Sequence, residues 1–142
     1  MKKILVLNGP NLNMLGIREK DIYGTVNLDS INEMISDKAK ELKCEVEFFQ
    51  SNIEGEIINA IHNAYGKIDG IIINPGAYSH YSYAILDALK AVNIDVIEVH
   101  ISNVFKREEH RQTLVTVKAS KALISGFGAY SYILALEGLV NG

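Results

Sequence analysis

The sequence predicts an α/β protein built around a parallel sheet, and three observations carry that expectation. Short apolar runs bounded by turn formers alternate with segments whose apolar residues recur at helical spacing. The third run, Gly70-Ile71-Ile72-Ile73-Asn74, is continuously apolar, the pattern of a strand buried on both faces. The 142 residues, 48% hydrophobic and 22% charged, suit one globular domain spanning 1–142, with no repeat, linker or low-complexity stretch.

Taken in order, Ile4-Leu5-Val6-Leu7 centres a first strand over residues 3–8. A long connection follows, about 9–26, rich in turn formers (Gly9, Pro10, Gly16) and hydrogen-bonding side chains. Strand and helix are usually joined by about 2–6 residues, so a loop this long reads as a lid or binding loop. Leu28, Ile31, Ile35, Ala39 and Leu42 then mark a helix, with Asn27 as its cap and Asp29 suited to the dipole of its first turn. Val46, Phe48 and Phe49 mark a second strand over about 44–50. Ser51 to Glu54 has the spacing of a capping box opening a second helix, striped by Ile57, Ile58, Ile61 and Tyr65 and ended by Gly66.

Pro75-Gly76 stops the third strand, and a third helix is expected from about Ser79 to Val92 with Ile85, Leu86 and Leu89 inward. Val96 to Ile101 reads as strand four, Ser102 to Gln112 as a polar connection, and Ala122 to Phe127 as strand five. Ile133, Leu136 and Val140 line a last helix. Right-handed crossovers make the simplest result a flavodoxin-like three-layer sandwich, a five-stranded parallel sheet of order 2-1-3-4-5 with helices on both faces.

A formal charge of −3 supplies no electrostatic reason to bind nucleic acid or an acidic membrane. The single cysteine, Cys44, excludes an internal disulfide, fits a reducing compartment and is expected to be inert. Met1-Lys2-Lys3 leads into too few apolar residues for a signal peptide core, and no run approaches a membrane span. The expectation is a cytoplasmic protein with neither nucleic acid nor membrane as partner. Gly126 to Ser131 lacks the third glycine of a dinucleotide fingerprint, Gly9 to Gly16 lacks the Lys-Ser/Thr of a P-loop, and no pair of residues has zinc-site spacing.

In open parallel sheets, ligands bind outside the carboxyl ends of the strands. That rule selects Asn8 and the long loop after strand one, Asn74 and His80 after strand three, and His100, Ile101, Ser102, Arg107 and Arg111 from strand four onward. Such a set suits acid/base chemistry on a polyoxygenated, anionic small molecule. Each residue also has a plainer reading. Asn11 and Asn13 equally serve to satisfy loop backbone. Arg18 reads equally as a solvated loop arginine, and Tyr23 is one of seven tyrosines. Arg107 and Glu109 read equally as a helical ion pair, and His62 and His110 as surface residues. A histidine on a buried strand is more often a satisfied core residue than a catalytic one, but Glu98 two residues back shares the strand face of His100, and a buried Glu–His pair is costly unless something uses it. Asp87, between Leu86 and Ala88, faces either solvent or a neighbouring subunit.

With these residues assembled, the chain resembles the type II 3-dehydroquinate dehydratases nearly end to end. The resemblance is carried by Gly9-Pro-Asn-Leu-Asn13 with Leu15-Gly16, Arg18-Glu19 and Tyr23-Gly24, then by Gln50-Ser51-Asn52 with Glu54-Gly55. Asn74-Pro-Gly-Ala77 with His80, Asp87-Ala88, and Glu98-Val-His-Ile-Ser-Asn103 with Arg107-Glu-Glu109 and Arg111 complete it. It implies a flavodoxin-like fold and removal of water from 3-dehydroquinate to give 3-dehydroshikimate through an enolate, in the shikimate route or in quinate breakdown. It implies no metal, no cofactor and no Schiff base, and trimers that commonly assemble into a dodecamer. It also assigns roles. Tyr23 takes the C2 proton, His100 protonates the departing C1 hydroxyl with Glu98 orienting it, Arg18 stabilises charge beside Tyr23, and Asn11 positions a water. Asn74 and the backbone at Ile101-Ser102 hold the substrate carboxylate, while His80, Arg111 and, from a neighbouring subunit, Asp87 hold its hydroxyls.

The pairing of Tyr23 with Arg18 has a physical basis. A free tyrosine titrates near 10 and is a poor base at neutral pH. A guanidinium about 4 Å away at an effective dielectric near 20 favours the phenolate by roughly 4 kcal/mol, enough to bring it within reach of neutrality. Two departures stand out: Lys20, where many relatives have proline, and Gln112 to Val115, where relatives carry a His-rich stretch. Two other functions of this fold fit less well. A flavin-binding electron carrier needs a Ser/Thr-rich phosphate loop after strand one, and a phospho-receiver needs aspartates where Asn8 and Asn74 stand.

Overall fold

The structure, a computed structural model, describes residues 1–17 and 26–142. Arg18 and Tyr23, and with them residues 18–25 of the expected lid, lie outside the described residues. Five parallel strands form one sheet of order β2-β1-β3-β4-β5: β1 Lys3–Asn8, β2 Glu45–Gln50, β3 Gly70–Asn74, β4 Asp95–His100 and β5 Ala122–Ser125. The helices are α1 Leu28–Leu42, α2 Glu54–Ala64, α3 Tyr83–Val92 and α4 Tyr130–Asn141.

Alternation along the strands divides the core between the two faces. Ile4, Val6, Ile72, Ile97 and Val99 pack with Ile31 and Ile35 of α1 and Tyr132 and Leu136 of α4. Leu5, Leu7, Ile71, Ile73 and Val96 pack with Ile57 and Ile61 of α2 and Ile85 and Leu89 of α3. The same alternation turns Glu98 and His100 toward the second face, at the carboxyl end of a strand that is apolar elsewhere along its buried length.

Asn27 caps α1 as expected and shares a capping box with Ser30, each side chain accepting the other's backbone N–H. Cys44 is buried at the start of β2, and desolvation holds its thiol above the ordinary range, which suits inertness.

Several expectations are corrected. Ser51 does not open a capping box with Glu54. The N-cap of α2 is Ile53, and Ser51 Oγ instead accepts from the Ile53 N–H at 2.9 Å and donates to Glu56. Tyr65 lies past the helix end and is 70% exposed, so Ala64 takes the inward place. The third helix starts at Tyr83, not Ser79, because Ser82 caps it through the Ile85 N–H. Residues Gly76–His80 form a separate 3-10 turn. Strand four begins at Asp95, and strand five ends at Ser125, ahead of the left-handed Gly126. The crossover from β4 to β5, expected as a polar connection, carries three 3-10 turns, Val104–Lys106, Glu109–Gln112 and Thr116–Ala119.

Candidate active site

Register sets the rim. Asn8 aligns with Gln50 and with Asn74 across the first three strands, and His100 aligns with Ser125. The loops after β1 and β3 are pressed together: Gly9 N–H donates to the Asn74 carbonyl at 2.8 Å. A Cβ at residue 9 would stand 2.4 Å from the Pro75 carbonyl oxygen, so glycine alone permits the contact.

The rim holds a buried polar core. Glu98 has no exposed surface and His100 is 6% exposed, and Glu98 Oε2 lies 2.7 Å from His100 Nε2. The other carboxylate oxygen, Oε1, accepts the Thr116 hydroxyl at 2.5 Å, and Thr116 is itself fully buried. The end of β4 is fixed from β5 and α4. Gly126 N–H and Ser131 Oγ donate to the His100 carbonyl at 3.1 and 3.4 Å, and Gly128 N–H donates to the Ile101 carbonyl at 3.0 Å. Ser102 accepts Ser125 Oγ on its carbonyl at 2.9 Å.

A second buried network crosses the sheet. Tyr132 OH donates to Asn8 Oδ1 at 2.6 Å and accepts from Asn74 Nδ2 at 3.0 Å. Burial drives the Tyr132 phenol upward, partly offset by the Asn74 amide, so it remains protonated. Gly76 N–H donates to Asn74 Oδ1 at 3.2 Å, which fixes the amide at both ends and leaves one Nδ2 hydrogen for a ligand.

Around this core, Asn11 is exposed in the left-handed conformation at φ 70°. Its backbone N–H donates to Asn52 Oδ1 at 3.0 Å. Gln50 Nε2 donates to the Gly9 carbonyl at 3.1 Å and to Asn13 Oδ1 at 3.4 Å. Asn13 is thus met by a side chain and not by loop backbone, and Gln50 and Asn52 anchor the start of the loop. His80 Nδ1 lies 2.9 Å from the Thr113 carbonyl, so Nδ1 carries a hydrogen and Nε2 is left for a ligand.

Arg111 is part-buried with Nε 2.7 Å from Glu108 Oε2. Against a desolvation that acts upward, Arg111 by contact and charge, then Arg107 by charge, hold the Glu108 carboxyl below its ordinary range. The ion pair in this segment is therefore Glu108–Arg111, not Arg107–Glu109. Asp87 is exposed on α3 between buried Leu86 and Ala88. His62 and His110 are surface residues, as expected.

The structure therefore gathers Asn74, Glu98, His100, Ile101 and Ser102 at the carboxyl edge, with Asn11, His80 and Arg111 on the flanking loops. Sequence reasoning missed Thr116 and Tyr132. Neither sits in a local pattern with its partner, so only the fold reveals them. The atypical segment from Gln112 turns inward: the Thr113 carbonyl sets His80, and Thr116 sets Glu98.

Fold and rim together define a doubly wound α/β protein with a histidine–carboxylate site at the carboxyl edge of its sheet. The profile of the family described as dehydroquinase class II matches residues 2–140, and the chain belongs to that family. It is 65% identical over 140 residues to the 3-dehydroquinate dehydratase of Caldicellulosiruptor bescii, covering 98% of this chain and 97% of that protein. It is 61% identical over 140 residues to the 3-dehydroquinate dehydratase of Clostridium perfringens, with 98% and 97% covered. Among solved structures, the type II dehydroquinase of Butyrivibrio crossotus superposes with a TM-score of 0.93 at 55% identity, covering 97% of both chains. That of Propionibacterium acnes gives 0.94 at 42% identity, covering 100% and 98%.

Proposed function

We propose that this chain, as one catalytic domain over 1–142, removes water from 3-dehydroquinate to give 3-dehydroshikimate. Family membership and curated relatives of that activity support the reaction, and the same family places it in the shikimate pathway. The observation that carries the site is the buried Glu98–His100 pair at the carboxyl edge of the sheet.

In this reading the Tyr23 phenolate, favoured by Arg18, takes the proton from C2 beside the ketone. The C–H electrons become the enolate, with Asn11 positioning a water against it. Collapse of the enolate expels the C1 oxygen, which receives a proton from the His100 imidazolium and leaves as water. The ring turns Nε2 to Glu98, so Nδ1 delivers that proton. The phenol proton then returns through solvent to the imidazole, which resets both groups. The remaining Asn74 Nδ2 hydrogen and the backbone at Ile101-Ser102 hold the substrate carboxylate. His80 through Nε2, Arg111, and Asp87 from a neighbouring copy hold the hydroxyls. Exposure of Asp87 supports its being lent to another subunit, and the assembly proposed is trimer-based, extending to a dodecamer. No described helix is long and apolar enough to cross a membrane; a cytoplasmic setting is part of this reading.

Adding 3-dehydroquinate to the purified protein and following ultraviolet absorbance tests it. The conjugated enone should accumulate at undiminished rate with a chelator present and after borohydride treatment. A flat trace defeats the assignment, and a rate abolished by either reagent defeats the mechanism.

A further inference from the structure

We propose that Thr116 is a positioning residue for the dehydration, acting through Glu98 on His100; the proposal rests on the dehydratase reading above. Glu98 has no exposed surface, so each of its oxygens must be answered inside the protein. Oε2 faces His100 Nε2 at 2.7 Å, and Oε1 accepts the Thr116 hydroxyl at 2.5 Å. A hydroxyl has one hydrogen, and Thr116 commits it to Oε1, which must then be an acceptor. With Oε1 taken by the Thr116 hydrogen, Oε2 is the oxygen left to face the ring at 2.7 Å, and in this proposal Glu98 is ionised and His100 Nε2 carries the hydrogen between them. The proton gained and lost in turnover is thereby confined to Nδ1.

Thr116 is held in its own right. Its segment is pinned by the Val115 N–H donating to the Ser79 carbonyl at 2.6 Å, one residue before His80. Thr113, three residues earlier, sets the tautomer of His80 through its carbonyl. One short stretch therefore orients both rim histidines. Without the hydroxyl, Oε1 would be a buried acceptor with no donor. The carboxylate would then be free to turn about its terminal bond or to take up a proton, and either change loosens the ring it holds.

Thr116→Val replaces the hydroxyl by a methyl at nearly constant volume, and Thr116→Ser keeps it. With folding of each checked by circular dichroism and thermal melting, Thr116→Val should lower kcat for 3-dehydroquinate about 10-fold with KM changed less than about twofold, and Thr116→Ser should return kcat to within about twofold of the parent. Should the valine variant not fold, Thr116→Ala takes its place with the same expected split. Nitrogen-15 histidine spectra of the free proteins read the ring without turnover. The parent and Thr116→Ser should show His100 as the Nε2–H form, and Thr116→Val should lose that single form. Parental kcat in folded Thr116→Val, a serine variant as slow as the valine one, or an Nδ1–H ring in the parent overturns the proposal. A parent with the Nε2–H ring but no turnover of 3-dehydroquinate overturns the dehydratase reading instead, with the clamp intact.

Discussion

A carboxylate with no exposed surface survives in a sheet only when both oxygens are answered, and Glu98 meets that condition with His100 on one side and Thr116 on the other. In the proposed reaction this pair supplies the acid half, and the base half is assigned to a residue that can be ionised near neutral pH. Tyr23 is proposed for that role, with Arg18 proposed to favour its phenolate. Because its hydroxyl is argued to act only in proton abstraction, Tyr23→Phe should leave the thermal melt unchanged and lower kcat by about 100-fold or more. Near-parental turnover in steady-state assays would remove Tyr23 from the mechanism. At this scale the chain order was informative where function concentrates. Glu98 and His100 are two apart on one strand, so their shared face follows from the pleat alone. Thr116 is separated from Glu98 by 18 positions and a string of 3-10 turns, so nothing periodic relates them.

Among elements, the junction of β1, β3 and α4 is tied by the side chain of Tyr132. Tyr132 bridges the carboxyl ends of two adjacent strands by its hydroxyl while its ring fills the core. Tyr132→Phe leaves Asn8 Oδ1 and Asn74 Nδ2 buried without that partner and should cost about 1–3 kcal/mol in urea denaturation at pH 7. The phenol also carries a pH dependence. Burial holds it above its ordinary value, so the folded state keeps the proton after the unfolded chain has released its own. Its contribution is whole below about pH 10 and is lost as pH climbs from there toward the folded value. The parent should therefore lose stability more steeply than Tyr132→Phe as pH rises past that point. Parallel curves in alkaline urea titrations would contradict this.

Two of the boundaries misread from the sequence were settled by side-chain hydrogen bonds. Ser82 sets the start of α3, and the turn of Ser51 onto Ile53 and Glu56 replaces a capping box. The strand cores and the helix stripes of α1 and α3 were legible, since burial on one or both faces imposes its period directly.

Across the whole molecule, the site is argued to be completed by a second copy. Asp87 is exposed although its neighbours in sequence are buried, and the proposed function would place its ligand contacts in an adjacent subunit. Tyr23→Phe and Asp87→Asn should each be nearly inactive alone. Mixed in equal amounts and allowed to exchange subunits, they should regain about a quarter of parental activity, the share of sites drawing an intact Tyr23 and an intact Asp87 from different chains under random assortment. A mixture no more active than its components, with exchange verified by native mass spectrometry, would place Asp87 outside the site.

Periodicity and turn chemistry marked five strands alternating with helices, right-handed crossovers made the order 2-1-3-4-5 their simplest arrangement, and the motifs along the chain pointed to the family, because these marks are written in residues close together in sequence. The answering partners of the buried polar groups are different in kind. Thr116 on Glu98, and Tyr132 on an asparagine 124 positions away, are chosen by which atoms the packed sheet brings within reach, and a buried donor or acceptor takes whatever partner the fold supplies there.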